Sequence, residues 1–139
     1  MSQVIIKAIR DYFLDCPLLH DGIMNVDYID ENIGYSINAL PSEPYYKLYV
    51  DGDGIRQFYF AIESREAYGE DVLNNITNSG FQQKLEEWIN ENNENGILPV
   101  LDDYTPIRID VTYTGYMQYA DPMYGNYQIQ CRLLYEKEI

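Results

Sequence analysis

His20 is the single histidine. In a catalytic triad it would stand beside a Ser or Cys nucleophile and a carboxylate, and would carry the proton between them. No serine lies in the G-x-S-x-G frame that exposes a nucleophile on a sharp strand-to-helix turn. His20 therefore reads as a loop histidine ahead of the turn signal Asp21-Gly22. Asp51-Gly52-Asp53-Gly54 places carboxylates at the first and third positions of a would-be calcium loop. Such a loop also needs an oxygen ligand at its fifth position and a bidentate Glu at its twelfth. Those positions hold Ile55 and Ile62, so the segment reads as a hairpin connection made of residues that tolerate positive φ. Glu86-Glu87 and Asp102-Asp103 are carboxylate pairs. Acid–base pairs need a defined separation and environments that split their pKa values, and adjacent residues on a helix do not face each other. A solvated face is the better reading. No glycine-rich phosphate loop and no Cys/His metal spacing is present. The expectation is a chain that is not an enzyme, with no catalytic, cofactor-binding or metal-ligating residues.

The elements that would position any site follow from hydrophobic periodicity. Val4, Ile5, Ala8, Ile9, Tyr12 and Phe13 form one helical stripe, with Ser2 as its N-cap and Pro17 as its stop. Ile23 to Tyr28 alternates weakly, and Tyr35 to Leu40 is a short strand ending at Pro41. Tyr45 to Val50 puts Tyr46, Leu48 and Val50 on one face, and Ile55 to Glu63 puts Phe58, Phe60 and Ile62 on one face. With Asp51 to Gly54 between them, these two strands predict a hairpin. Glu70 and Asp71 precede a short helix around Val72, Leu73 and Ile76. Ser79 and Gln82 suggest a second helix start as a capping box, followed by Phe81, Leu85, Trp88 and Ile89 at helical spacing and a stop at Gly96 and Pro99. Two strands close the chain. One has Ile107, Ile109, Val111 and Tyr113 on its apolar side, and the other has Tyr127, Ile129, Cys131, Leu133 and Tyr135. Gly115 to Asn126 reads as a long loop between them. The expected fold is a single α+β domain over residues 1–139, a mostly antiparallel or mixed sheet with helices packed on one face.

Composition narrows the partners. Lys plus Arg is 9 and Asp plus Glu is 23, for a formal net charge of −14 over 139 residues. Gripping nucleic acid by its phosphates draws on clustered Lys and Arg, and so does docking on an anionic membrane; neither is expected. The apolar runs are far shorter than the ~20 residues that span a bilayer, and the N-terminus lacks a signal-peptide pattern. Cys16 and Cys131 read as reduced thiols. Tyrosine is overrepresented, with 15 copies against one Trp. Tyr12, Tyr46 and Tyr113 fall on apolar faces, while Tyr45, Tyr49, Tyr59, Tyr116, Tyr119 and Tyr124 fall on polar sides or in loops. Exposed Tyr beside Met offers contact area at low entropic cost, as interfaces do.

Several stretches carry a family resemblance. They are Asp15-Cys16-Pro17, Val26-Asp27-Tyr28, Tyr49-Val50-Asp51-Gly52 with Arg56-Gln57, and the run Ser64-Arg65-Glu66-Ala67-Tyr68-Gly69-Glu70-Asp71-Val72-Leu73-Asn74-Asn75-Ile76. Asn78-Ser79-Gly80-Phe81, Trp88-Ile89 and Tyr127-Gln128-Ile129-Gln130-Cys131-Arg132-Leu133 complete the set. Taken in order, these resemble small minor capsid or tail-terminator (head–tail joining) proteins of phages and prophages of Gram-positive bacteria. None is a chemical motif, so no catalytic residue is carried over. The resemblance implies a tail-terminator-like fold and a structural virion protein, assembled in the bacterial cytoplasm. It implies a ring of copies, commonly a hexamer, that meets tail-tube and head-connector proteins and lets DNA pass without specific binding. Lumen-facing carboxylates would repel passing phosphates. Asp51, Asp53, Tyr116, Tyr119 and Tyr124 are the candidates for lumen or inter-subunit contact. The competing reading is an acidic inhibitor or DNA mimic that occupies a host nucleic-acid-binding protein, motivated by the charge alone.

Overall fold

A computed structural model describes residues 5–17, 25–26, 34–50, 54–67, 72–120 and 124–137. Helix α1 spans Ile5–Leu14 and buries Ala8, Ile9, Tyr12 and Phe13 of the predicted stripe; Ile5 is half-buried, and Val4 and the expected N-cap Ser2 lie outside the described residues. Its other side is wet, where Lys7 meets Asp11 at 2.8 Å one turn on. The Cys16 amide donates to the Phe13 carbonyl at 3.0 Å in a final tight turn, and Pro17 prevents another.

Helix α2 runs unbroken over Val72–Asn95. The expected second start at Ser79-Gly80 is overturned, because both residues lie inside the helix. A mid-helix glycine costs about 1 kcal/mol against Ala, which weakens a helix without ending it. The C-terminus of α2 is closed by Gly96 at φ 72°. The Ile97 amide donates to the Asn92 carbonyl at 2.8 Å, and the Gly96 amide donates to Asn93 at 3.3 Å. This is a Schellman cap, in which the left-handed residue must lack a Cβ to avoid strain.

Among the described residues the sheet holds six strands: β1 (Asn25–Val26), β2 (Gly34–Ala39), β3 (Tyr45–Leu48), β4 (Gly54–Ala67), β5 (Tyr104–Ala120) and β6 (Tyr124–Lys137). Their order is β1-β2-β4-β6-β5, and β3 also pairs with β4. The β1–β2 pair is parallel and the remaining pairs are antiparallel. β3 and β4 form the expected hairpin, with Leu48 opposite Gly54. A side chain at Gly54 would collide with the Lys47 carbonyl, so that close approach requires glycine. The architecture is α+β, with both helices packed on one face of the sheet.

The core lies between helices and sheet. Ile37, Phe60, Ile62, Ile109, Ile129, Cys131 and Leu133 meet Ile9, Phe13, Leu85 and Ile89 there. Phe13 stacks edge-on against Phe60 with ring centroids 6.0 Å apart, and Tyr12 lies 5.0 Å from Trp88. Buried polar groups on this face are partnered. Gln82 donates to the Ser64 hydroxyl at 3.0 Å, and the Asn92 amide donates to the Tyr12 hydroxyl at 3.1 Å. Cys16 and Cys131 are both buried and are not joined in a disulfide, as expected.

The expected loop over Gly115 to Asn126 is overturned. β5 continues to Ala120 and β6 begins at Tyr124, so only residues 121–123 separate the strands. The breakers Asp121-Pro122 fall in that gap. Gly115 falls between the paired residues Tyr113 and Tyr116, where the register shifts. β5 therefore absorbs its glycine as a bulge rather than ending at it.

Candidate interaction surface

The sheet face opposite the helices is built from the polar positions of the same strands. β4 contributes Gln57, Tyr59, Ala61 and Glu63, and β6 pairs Leu134, Arg132, Gln130 and Gln128 with them in turn. Toward β2, the Gln128 amide donates to Glu63 and the Gln130 amide to Gln128, each at 3.0 Å. Ser36, Ala61, Asn126 and Gln128 are buried on this side.

Toward β5 the face carries charge and aromatic rings. Arg132 donates through one terminal nitrogen to Asp110 Oδ2 at 2.7 Å and through the other to the Tyr59 hydroxyl at 3.3 Å. Arg108 Nε reaches Asp110 Oδ1 at 2.9 Å. Two guanidinium groups thus share one carboxylate. The Arg132 guanidinium also lies over the Tyr46 ring, 4.8 Å from its centroid. Burial works against the charge of Arg132, but the hydrogen bonds to Asp110 and Tyr59 outweigh it and its pKa stands above the ordinary value. The Nε of Arg132 is buried and has no hydrogen-bond partner.

Large side chains are exposed on β3 and β5. Tyr46 is 48% exposed, Leu48 62% and Tyr113 65%. Tyr46 and Tyr113 are expected in the core, and the structure places both outside it. Each lies at a shift of register. Tyr46 is the extra residue between the pairs Tyr45–Arg56 and Lys47–Ile55. Val111 pairs with Cys131 and Tyr113 with Gln130, so one added residue moves Tyr113 from the core face to the polar face. The other apolar residues of the first alternation, Leu48 in β3 and Val50 just beyond it, are exposed too.

The named candidates are dispersed. Asp51, Asp53 and His20 lie outside the described residues. Tyr116 and Tyr119 are in β5, opposite Gln128 and Asn126, and Tyr124 opens β6 opposite Ala67. They belong to a long hairpin rather than to a loop. The cluster that the structure brings together instead is Arg108, Asp110, Arg132, Tyr59 and Tyr46, with Tyr113 exposed on the neighbouring pair with Gln130. Arg108, Asp110, Arg132 and Tyr59 sit at polar positions of the alternation, and Tyr46 and Tyr113 at apolar ones; their placement depends on register across four strands, which periodicity does not encode.

On the helical side, a cavity of about 200 Å³ lies between α1 and the end of α2, lined by Asp11, Tyr12, Asp15, Trp88, Asn92 and Val100 among others. Burial pushes the Tyr12 hydroxyl up to about 12, against the lowering effect of its bond from Asn92. Glu87, Asp102 and Asp103 are exposed and Glu86 is half-buried. Among the described residues no group of three His, Cys, Asp or Glu could hold a metal ion, and no helix is long and apolar enough to cross a membrane.

No protein-family model matches this chain, and no curated protein matches it.

Proposed function

We propose that this protein is a structural component of a phage or prophage virion, a ring-forming tail terminator or head–tail joining subunit that works by contact rather than catalysis. The observation that carries this reading is the sheet face opposite α1 and α2, where the exposed Tyr46 ring lies against an arginine cluster and Tyr113 is exposed. Tyr and Arg are enriched at protein interfaces and supply most of their hot spots. The sequence resemblance to minor capsid and tail-terminator proteins supports the same role. Its partners would be further copies of itself, a tail-tube protein and a head connector. The net charge of −14 suits a ring through which DNA moves, since carboxylates at a lumen repel phosphates.

Light scattering coupled to size exclusion, run on the protein alone and with isolated tail tubes, tests the proposal. A closed oligomer or a tube-bound complex is expected. A protein that stays monomeric at high concentration and also ignores tail tubes overturns it.

A further inference from the structure

The cavity of about 200 Å³ on the helical side lies where both helices end. α1 and the residues just after it bring Asp11, Tyr12 and Asp15 to its wall, and α2 brings Trp88 and Asn92. The Trp88 ring stands 5.0 Å from the buried Tyr12 ring and 5.7 Å from Phe13, which fix it in place. The one amide donor on the wall is already spent, since Asn92 donates to the Tyr12 hydroxyl at 3.1 Å. Asp11 is engaged from outside, by Lys7 at 2.8 Å and by Arg10 at 4.0 Å. Neither of those cations lines the cavity, and neither does Lys84, one turn before Trp88. Among the described residues, no ion pair or side-chain hydrogen bond engages the Asp15 carboxylate. Neither helix has a basic residue in its last turn. The negative ends of two helix dipoles therefore meet at the cavity with no cation of their own.

We propose that this cavity receives an arginine side chain of a partner protein, with the guanidinium against the Trp88 ring and the Asp15 carboxylate. Three features of the wall favour a cation. Trp is the aromatic ring that attracts a cation most strongly, Asp15 supplies a formal charge, and the helix ends supply partial charges of the same sign. Shape selects arginine over lysine. A planar guanidinium stacks on a ring and offers a fork of donors to a carboxylate, whereas an ammonium is a more strongly hydrated point charge. Size selects a single side chain, since pockets for drug-sized ligands start at about 300 Å³. Ile97 and Val100 also line the cavity and are 54% and 79% exposed, which gives the residues flanking the arginine an apolar rim to cover. A desolvated arginine in a pocket is a common anchor of protein interfaces. This site lies on the helical side, away from the sheet face, and does not rest on the virion reading.

Trp88 is the only tryptophan, so its fluorescence, excited where tyrosine does not absorb, reports on this cavity. The full chain is titrated with an end-blocked Gly-Arg-Gly peptide, and with peptides carrying lysine, citrulline or norleucine in place of the arginine, all at matched ionic strength. The arginine peptide should change Trp88 emission saturably, with a Kd of about 1 mM, the scale of a single anchored side chain. The lysine peptide should bind a few-fold more weakly. Citrulline, which keeps the shape and loses the charge, should bind about tenfold or more weakly. Added salt should weaken the arginine peptide. Asp15→Asn, and separately Val100→Lys at the exposed rim, should each weaken it about fivefold, with circular dichroism and thermal unfolding unchanged. Amide chemical shifts should move around Asp15 and over residues 97–100. An arginine peptide that changes neither the emission nor those shifts overturns the inference. So does citrulline or lysine binding as tightly as arginine, or a folded Asp15→Asn variant that binds like wild type. Spermidine binding more tightly than the arginine peptide would replace the partner protein with a free polyamine and overturn it as well.

Discussion

The two faces of the one sheet are made from alternate residues of the same strands, yet they are organised by different forces. On the helix-covered face, Phe60, Ile62, Ile129, Cys131 and Leu133 are fully or almost fully buried, and non-directional burial of apolar area sets the arrangement. On the other face, Glu63, Gln128 and Gln130 form a hydrogen-bonded ladder, and Arg132, Asp110 and Tyr59 form a charge-assisted cluster. Directional bonds set that arrangement. The first face tolerates changes of shape poorly. The second tolerates changes at its rim and is sensitive at its centre.

The largest effect should come from the covered face. Phe60→Ala removes a ring packed on Phe13 and should cost about 3–5 kcal/mol in chemical denaturation. A loss below about 1 kcal/mol would mean that the helices do not pack there. At the centre of the other face, Asp110→Ala takes the carboxylate from two arginines, one of them mostly buried. It should cost about 2 kcal/mol, whereas Arg108→Ala, at the exposed end of the same network, should cost under about 1 kcal/mol. Equal losses would show that the network has no centre.

Tyr12→Phe probes the covered face through a proton. Unfolded, a tyrosine ionises near pH 10; buried here, Tyr12 ionises at about 12. The unfolded state therefore loses the proton first, and stability falls as pH rises from about 10 to about 12. The variant should lose about 1 kcal/mol at neutral pH with the Asn92 hydrogen bond, and its alkaline decline should be shallower. Urea titrations at a series of pH values measure both. The smallest effect belongs to Tyr113→Ser, which should change stability by less than about 0.5 kcal/mol. A large loss would return Tyr113 to the core and remove the contrast between the faces.

Much of the covered face was legible. The α1 stripe and the alternation of β6 from Tyr127 to Tyr135 each predict buried residues that the structure buries, because both elements keep one unbroken period. β5 defeats the same reasoning. Its register against β6 shifts four times, and each extra residue reverses which side faces inward. β5 is also an edge strand, where bulges and a proline such as Pro106 limit pairing with other chains. Gly115 and the tyrosines around it look like a loop because composition cannot distinguish a bulged strand from a turn.

The amino-acid sequence by itself determined the α+β class, the helix stops at Pro17 and Gly96, and the buried stripes of α1 and β6, since these follow from local sterics and apolar periodicity. Tertiary structure decided that Arg108 and Arg132 share Asp110, and that Tyr46 and Tyr113 face outward. Those outcomes depend on strand register and bulges. They are settled by hydrogen bonding between segments far apart in the chain.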